Sequence, residues 1–378
     1  MPASTLSGYK PQHFCIMEYE GIHKVSNANA LYNAYLKARS GSDWKESVQR
    51  YEYDIWRNIS DTKQALNNGT YRQMPFVEFT LSERGKTRHI KSIHISDRVV
   101  QRSLCDNVLT PATEPYLIYD NGASQKGKGV SFTRERLEKH LHEYYRKYGT
   151  NEGYVLLVDF KGYFSSIPHD KLKAAYARVI HDPDLQQLIN YLIDVNEGDR
   201  GVGIGSQLSQ NAGVFYPTPL DQYFKTVKGE RFYAAYMDDR YLLCRTKEHA
   251  KRSLVEMREQ ASNLGLRIND KKTQIIKLSR GFVFLKVLYI LTETGKVVKR
   301  QSKDAFIRER RRLKKNKKSG MDPERAVMCY RSWVGTVKCY HNNYHRIKRM
   351  NRLFEELFPG VEYKTKLERK RYERKDCV

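Results

Sequence analysis

Phe232-Tyr233-Ala234-Ala235-Tyr236-Met237-Asp238-Asp239-Arg240-Tyr241-Leu242-Leu243 sets two adjacent acids between two apolar runs. Short apolar runs around a polar pair read as two strands joined by a tight turn. That turn delivers both carboxylates to one edge of a sheet, where they repel and raise each other's pKa. A bound cation offsets the repulsion directly. A second stretch, Tyr154-Val155-Leu156-Leu157-Val158-Asp159-Phe160-Lys161-Gly162-Tyr163-Phe164, is an apolar strand that ends in one carboxylate. Few carboxylates, completed by substrate phosphates, suit Mg²⁺. Two such ions about 3.5–4 Å apart can activate a hydroxyl and stabilise a leaving oxygen in phosphoryl transfer.

Outward from these two runs, residues 71–95 alternate apolar and polar side chains about Ser82-Glu83-Arg84-Gly85, which predicts a β-hairpin. Helical spacing is expected over the first sixty or so residues, with Asp43 a candidate N-cap ahead of 44–59. It returns over 97–109, 132–148 (stopped by Gly153), 169–180, 185–195, 220–224 and 250–264. Residues 121–129 and the glycine cluster 201–205 read as loops, and two or three strands run to about Val298. Helical spacing persists over 325–358, with a looser tail after Gly360. Strands interrupted by helices, followed by a helical end, predict an α+β fold rather than a doubly wound sheet.

The 68 Lys and Arg outnumber 43 Asp and Glu, a formal net charge of +25. So large an excess opposes compaction and calls for a polyanionic partner, best a nucleic acid. The asymmetry is strongest from Arg300 onward, with 24 Lys and Arg against 10 Asp and Glu. No apolar run approaches the ~18 residues of a spanning helix, so no membrane role is expected. Met1-Pro2-Ala3-Ser4 does not begin a basic-then-apolar signal, and the expected compartment is the cytoplasm. Six scattered cysteines without a C-x-x-C pair indicate reduced thiols and no zinc site.

Tyr236-Met237-Asp238-Asp239 resembles the Y-x-D-D turn of reverse transcriptases, and Asp159 resembles the acid of their first palm motif. The similarity runs from about Tyr71 to Phe284. It points to bacterial and phage retroelement enzymes, closest to those of diversity-generating retroelements. The resemblance implies a right-hand polymerase fold of fingers, palm with antiparallel sheet, and helical thumb. Fingers and N-terminal region would occupy 1–150, and the palm 151–290 with an interleaved fingers segment at about 172–200. A basic helical thumb and tail would fill 291–378.

The same resemblance implies the site. Asp159, Asp238, Asp239 and the Phe160 carbonyl would hold two Mg²⁺ ions, with Mn²⁺ an alternative. Lys272, in Lys271-Lys272-Thr273, would be general acid for the leaving pyrophosphate. Lys86 and Arg88, with Lys91 on the same hairpin, would clamp the triphosphate. Phe164 would be the aromatic gate that rejects a 2′-hydroxyl.

Ile204-Gly205-Ser206-Gln207-Leu208-Ser209-Gln210 has an aliphatic residue where many relatives have Gln, and Ser-Gln where they have Ser-Pro. This pattern resembles diversity-generating enzymes, which misincorporate opposite template adenines. Ile204, Gly205 and Gln210 would then contact the nucleotide. Tyr236, Met237 and the primer-grip-like Phe284-Leu285-Lys286 would contact primer and template. Gly127-Lys128-Gly129 resembles a basic loop of the same enzymes, with Gln125 replacing their frequent Arg.

Implied partners are template RNA, a cDNA or primer strand, dNTPs and a small basic accessory oligomer, in a bacterial or phage-infected cell. A defence-associated enzyme copying a noncoding RNA, and a non-catalytic RNA-binding protein on the same fold, remain open beside this reading.

Overall fold

Alternation over residues 71–95 becomes an antiparallel pair in the computed structural model. β1 (Val77–Glu83) and β2 (Lys86–Ser92) pair from Val77 opposite Ser92 to Glu83 opposite Lys86. The structure describes residues 21–83, 86–338, 340 and 343–363, without the side chains of Glu83, Lys86 and Arg88. Arg84 and Gly85 of the expected turn thus lie outside the described residues.

The apolar run after Gly153 forms β3 (Tyr154–Asp159), whose last five residues are buried. The acid-bearing hairpin comprises β4 (Tyr233–Tyr236) and β5 (Asp239–Cys244). With β6 (Gln274–Lys277) they form a four-stranded sheet of order β4-β5-β3-β6. β3 and β6 run antiparallel, Tyr154 opposite Lys277 and Leu157 opposite Gln274. β7 (Phe282–Phe284), β8 (Val287–Leu291) and β9 (Val297–Gln301) make a separate antiparallel meander. Four strands thus follow the helix Lys247–Asn263 where two or three were expected. The turn between β7 and β8, Leu285-Lys286, has no glycine to mark it, although both residues have positive φ (44° and 69°).

Helices depart from the sequence reading in several places, among them a break of the spacing expected over 325–358 into Pro323–Lys338 and Tyr344–Leu357. The expected helix over 44–59 is two, Glu46–Tyr53 and Ile55–Asn67, and Lys45 rather than Asp43 holds the N-cap position. The Asn58 side chain donates to the Tyr51 carbonyl at 3.0 Å, satisfying one of the orphan acceptors at that break. The helix Val130–Tyr148 is stopped by Gly149, not Gly153; Gly149 takes φ +67° and donates to the Tyr145 carbonyl at 2.7 Å. The helix Gln207–Phe215 was not anticipated; it is capped by Ser206, whose Oγ accepts from the Ser209 amide.

The chain divides into two units, each discontinuous in sequence. The first comprises residues 1–133, 158–240 and 253–273. Its helices Ala28–Arg39 and Ile95–Leu104 bury Leu31, Val99, Val100 and Leu104 completely. The second comprises residues 134–157, 241–252 and 274–378. Its helices Lys303–Lys318, Pro323–Lys338 and Tyr344–Leu357 close on Phe306, Leu313, Tyr330, Ile347 and Phe354. The Tyr330 and Phe354 rings stack at 4.6 Å. Among the described residues no helix is long and apolar enough to cross a membrane.

Candidate active site

Beyond Asp159 the chain keeps an antiparallel partner. The Asn269 amide donates to the Asp159 carbonyl and the Lys161 amide to the Arg267 carbonyl, both at 2.8 Å. This pairing carries two side chains to the Asp159 carboxylate. Asn269 Nδ2 donates to Oδ1 at 3.0 Å and Lys272 Nζ to Oδ2 at 2.5 Å. Asp159 is only 7% exposed, and each carboxylate oxygen accepts one of these hydrogen bonds, which leaves lone pairs for a further ligand.

Met237 and Asp238 form the two-residue turn between β4 and β5. Met237 sits at φ +52°, where such hairpins usually place glycine. Its carbonyl accepts from Arg240 Nη1 at 2.9 Å. Arg240 is 1% exposed and pairs through Nε with Asp221 Oδ1 at 2.9 Å. Tyr233 Oη donates to the same carboxylate oxygen at 2.6 Å.

Burial raises the pKa of Asp238, and nearby Asp159 adds to it against the pull of Lys272 and Arg240. Burial, then Asp238 and Asp159, push Asp239 up to about 7. For Lys272 burial disfavours the charge, but the hydrogen bond to Asp159 and the surrounding carboxylates outweigh it and raise the pKa. Asp159, Asp238, Asp239 and Lys272 are therefore one electrostatic cluster within the first unit.

A cavity of about 410 Å³ opens on this cluster, lined by Phe160, Phe164, Asp238, Asn269 and Lys272 among others. His89, Lys91, Arg200 and Ile204 line it as well. The Phe164 ring meets Tyr163 edge-on at 5.4 Å, and a Cβ on Gly213 would lie 2.9 Å from its Cε1. Gly213 thus leaves the space the ring occupies.

Other expected site residues lie elsewhere or outside description. The side chains of Lys86 and Arg88 are not described; on the same strand His89 and Lys91 reach the cavity. Gly205 turns at φ +115° beside Ile204, whereas Gln210 is exposed on its helix and does not line the cavity. Tyr236 ends β4, half-buried. Phe284, Leu285 and Lys286 form their hairpin in the second unit, where Arg134 Nη2 donates to the Leu285 carbonyl at 2.6 Å. Lys128 of the basic loop turns onto its own segment, donating to the Tyr119 carbonyl at 2.9 Å and lying over the Tyr119 and Phe132 rings.

Asn269, Asp221, Arg240, His89 and Arg200 were not foreseen as site residues. The one local signal was Arg240 itself, a charge inside an apolar strand directly after two acids.

Residues 79–299 match the family model described as reverse transcriptase (RNA-dependent DNA polymerase). The chain belongs to the reverse transcriptase family. Its fold is accordingly the right-hand polymerase fold, here a mixture of helices and antiparallel sheets. No curated protein matches the sequence. Among solved structures, it is similar to apo telomerase from Candida tropicalis truncated from the C-terminal domain, at 14% identity and TM-score 0.46. The match covers 65% of this chain and 60% of that one, so this reverse transcriptase aligns with less than two thirds of that relative.

Reverse transcriptases work with divalent metal ions, and the donor set here fits a hard cation. Among the described residues no three acidic, histidine or cysteine side chains converge to bind a metal by themselves. Mg²⁺ needs only one or two carboxylates when substrate phosphates complete its shell. Burial, with repulsion among the acids, raises the pKa of Asp238 and Asp239, a cost that a bound cation would offset, and the Lys272 ammonium already pairs with Asp159.

Proposed function

We propose that this chain is an RNA-directed DNA polymerase that copies a retroelement template RNA into cDNA. The observation that carries the reading is the buried Asp159, held by Asn269 and Lys272 and coupled to Asp238 at the wall of an open cavity. Asp159, Asp238 and the Phe160 carbonyl would hold two Mg²⁺ ions, which when bound favour ionisation of the primer 3′-hydroxyl and neutralise the departing pyrophosphate.

The protein's own groups do the rest. Lys91 and Arg200 face the cavity as cations for the triphosphate, alongside the expected Lys86 and Arg88. Phe164 closes the space beneath the sugar and excludes a 2′-hydroxyl. Lys272 is held protonated while it pairs with Asp159, so it can give its proton to pyrophosphate only after that pair opens. Asp239 completes the acid turn, its carboxyl pushed up to about 7 by burial and by the neighbouring acids.

On this reading fingers, palm and thumb follow the boundaries 1–150, 151–290 and 291–378. The thumb's helix Lys303–Lys318 carries nine exposed Lys and Arg along the template–primer backbone. Ile204, 41% exposed at the cavity, offers the nucleotide shape without a hydrogen bond. Losing a hydrogen bond that rewards correct pairing relaxes discrimination by ~1–2 kcal/mol, in keeping with an adenine-directed mutator of the diversity-generating type. A small basic accessory oligomer and the cytoplasm of a bacterial or phage-infected cell belong to the same proposal.

One experiment tests both levels. Purified protein is given a defined RNA template, a DNA primer, dNTPs and Mg²⁺, and the cDNA is sequenced. Extension is expected, with errors concentrated opposite adenine. Asp238→Asn should reduce extension at least about a hundredfold. Equal extension by the variant defeats the catalytic assignment, and errors spread evenly over the template defeat the mutator subtype.

A further inference from the structure

Among the described residues Arg240 heads the large, fully buried side chains, and nothing in nucleotidyl transfer requires it. Removing a guanidinium from water costs several kcal/mol unless it is paired and hydrogen-bonded. Here each of its three nitrogens has a partner. Nε and Nη2 face the two oxygens of Asp221 at 2.9 and 3.4 Å, and Nη1 reaches the Met237 carbonyl at 2.9 Å. The guanidinium carbon lies 4.6 Å from the centre of the Phe160 ring, close enough for cation–π attraction. Asp221 is itself 1% exposed and fixed by Tyr233.

The two contacts opposite Asp221 fall on the neighbours of the two acids: Phe160 follows Asp159 and Met237 precedes Asp238. Met237 is also the strained residue of the turn, at φ +52° without glycine's freedom. A buried ion pair is a poor source of stability compared with apolar packing but a good source of defined geometry. We propose that Arg240, anchored by Asp221, is a positioning residue: by gripping the Met237 carbonyl and the Phe160 ring together it sets the spacing between Asp159 and Asp238. The inference rests on the polymerase reading given above.

The test compares the wild type with D221L/R240M, which removes both charges at once and so leaves no unpaired ion in the interior. Arg240→Lys, which keeps the charge but not the fork, is the second variant should the double one fail to fold. Each is assayed by primer extension on RNA with Mg²⁺, by primer–template affinity, and by crystallography of the β4–β5 turn. A misplacement near 1 Å costs about a hundredfold in rate. We therefore expect kcat to fall about ten- to a hundredfold with dNTP KM and primer affinity within about threefold, and Met237 to leave positive φ. A folded variant with wild-type kcat, or with Met237 still at positive φ, overturns the proposal. An inactive wild type would instead refute the polymerase reading, and the Met237 backbone would still decide the role of Arg240.

Discussion

Asp239 departs far from the ordinary behaviour of a carboxyl. Its carboxyl is pushed up to about 7, so the folded chain holds a proton there that the unfolded chain releases near pH 4. Its contribution is therefore a penalty, absent at low pH, that grows as pH rises from about 4 toward 7. In metal-free buffer Asp239→Asn should raise Tm at pH 8 and leave it almost unchanged at pH 4; equal gains at both pH values would show that the carboxylate bears no such penalty. Phe164 gives a second residue-scale test. Trimming it to Val should let rNTPs compete about tenfold better in primer extension. Unchanged sugar selectivity would leave the ring as packing between Tyr163 and Gly213.

At the scale of elements, two hairpin turns are built on residues that dislike their own backbone angles. Met237 lies at φ +52°, and Leu285 and Lys286 at 44° and 69°. In each turn an arginine donates to the carbonyl of a strained residue, Arg240 to Met237 and Arg134 to Leu285. A second element-scale constraint is the approach of β3. A Cβ on Gly153 would lie 2.7 Å from Tyr144 Cζ and 3.1 Å from the Cys244 carbonyl oxygen. Tyr144 cannot swing aside freely, since its hydroxyl donates to the Glu152 carbonyl at 2.6 Å. Gly153→Ala should therefore cost about 1–3 kcal/mol, seen as a lowered urea midpoint. A neutral effect would mean that the helix Val130–Tyr148 can slide against the strand.

At the scale of the whole molecule, charge rather than shape carries the expectation. Of the +25 net charge, the helix Lys303–Lys318 contributes nine cations against Asp304 and Glu309. Its apolar side, Phe306 and Leu313, is spent on the core of the second unit. The cations are left in solvent, where a phosphate backbone can displace counterions from them. Replacing Lys314, Lys315, Lys317 and Lys318 with Ala should weaken template–primer binding and flatten the plot of log affinity against log salt. The slope should change by roughly 0.9 for each duplex phosphate that is no longer neutralised. A parallel line of unchanged slope would place the nucleic acid on another surface.

Much of this was legible along the chain because it is local. An acid after an apolar strand, an acid pair between two strands and strict alternation before a turn are readable from neighbours in sequence, and β1 to β5 follow them. The cations from Arg300 onward are a matter of composition. What sequence could not reveal was who meets whom across distance. Asn269 reaches Asp159 over 110 positions, and Arg240 finds its counter-ion 19 positions back. His89 and Arg200, rather than Gln210, come to face the cavity. The helix boundary at Gly149 and the break before Ile55 were likewise settled by hydrogen bonds to particular carbonyls. Periodicity says which face of an element is apolar; only packing chooses the partner, because a buried polar group must find its hydrogen bonds wherever the folded chain supplies them.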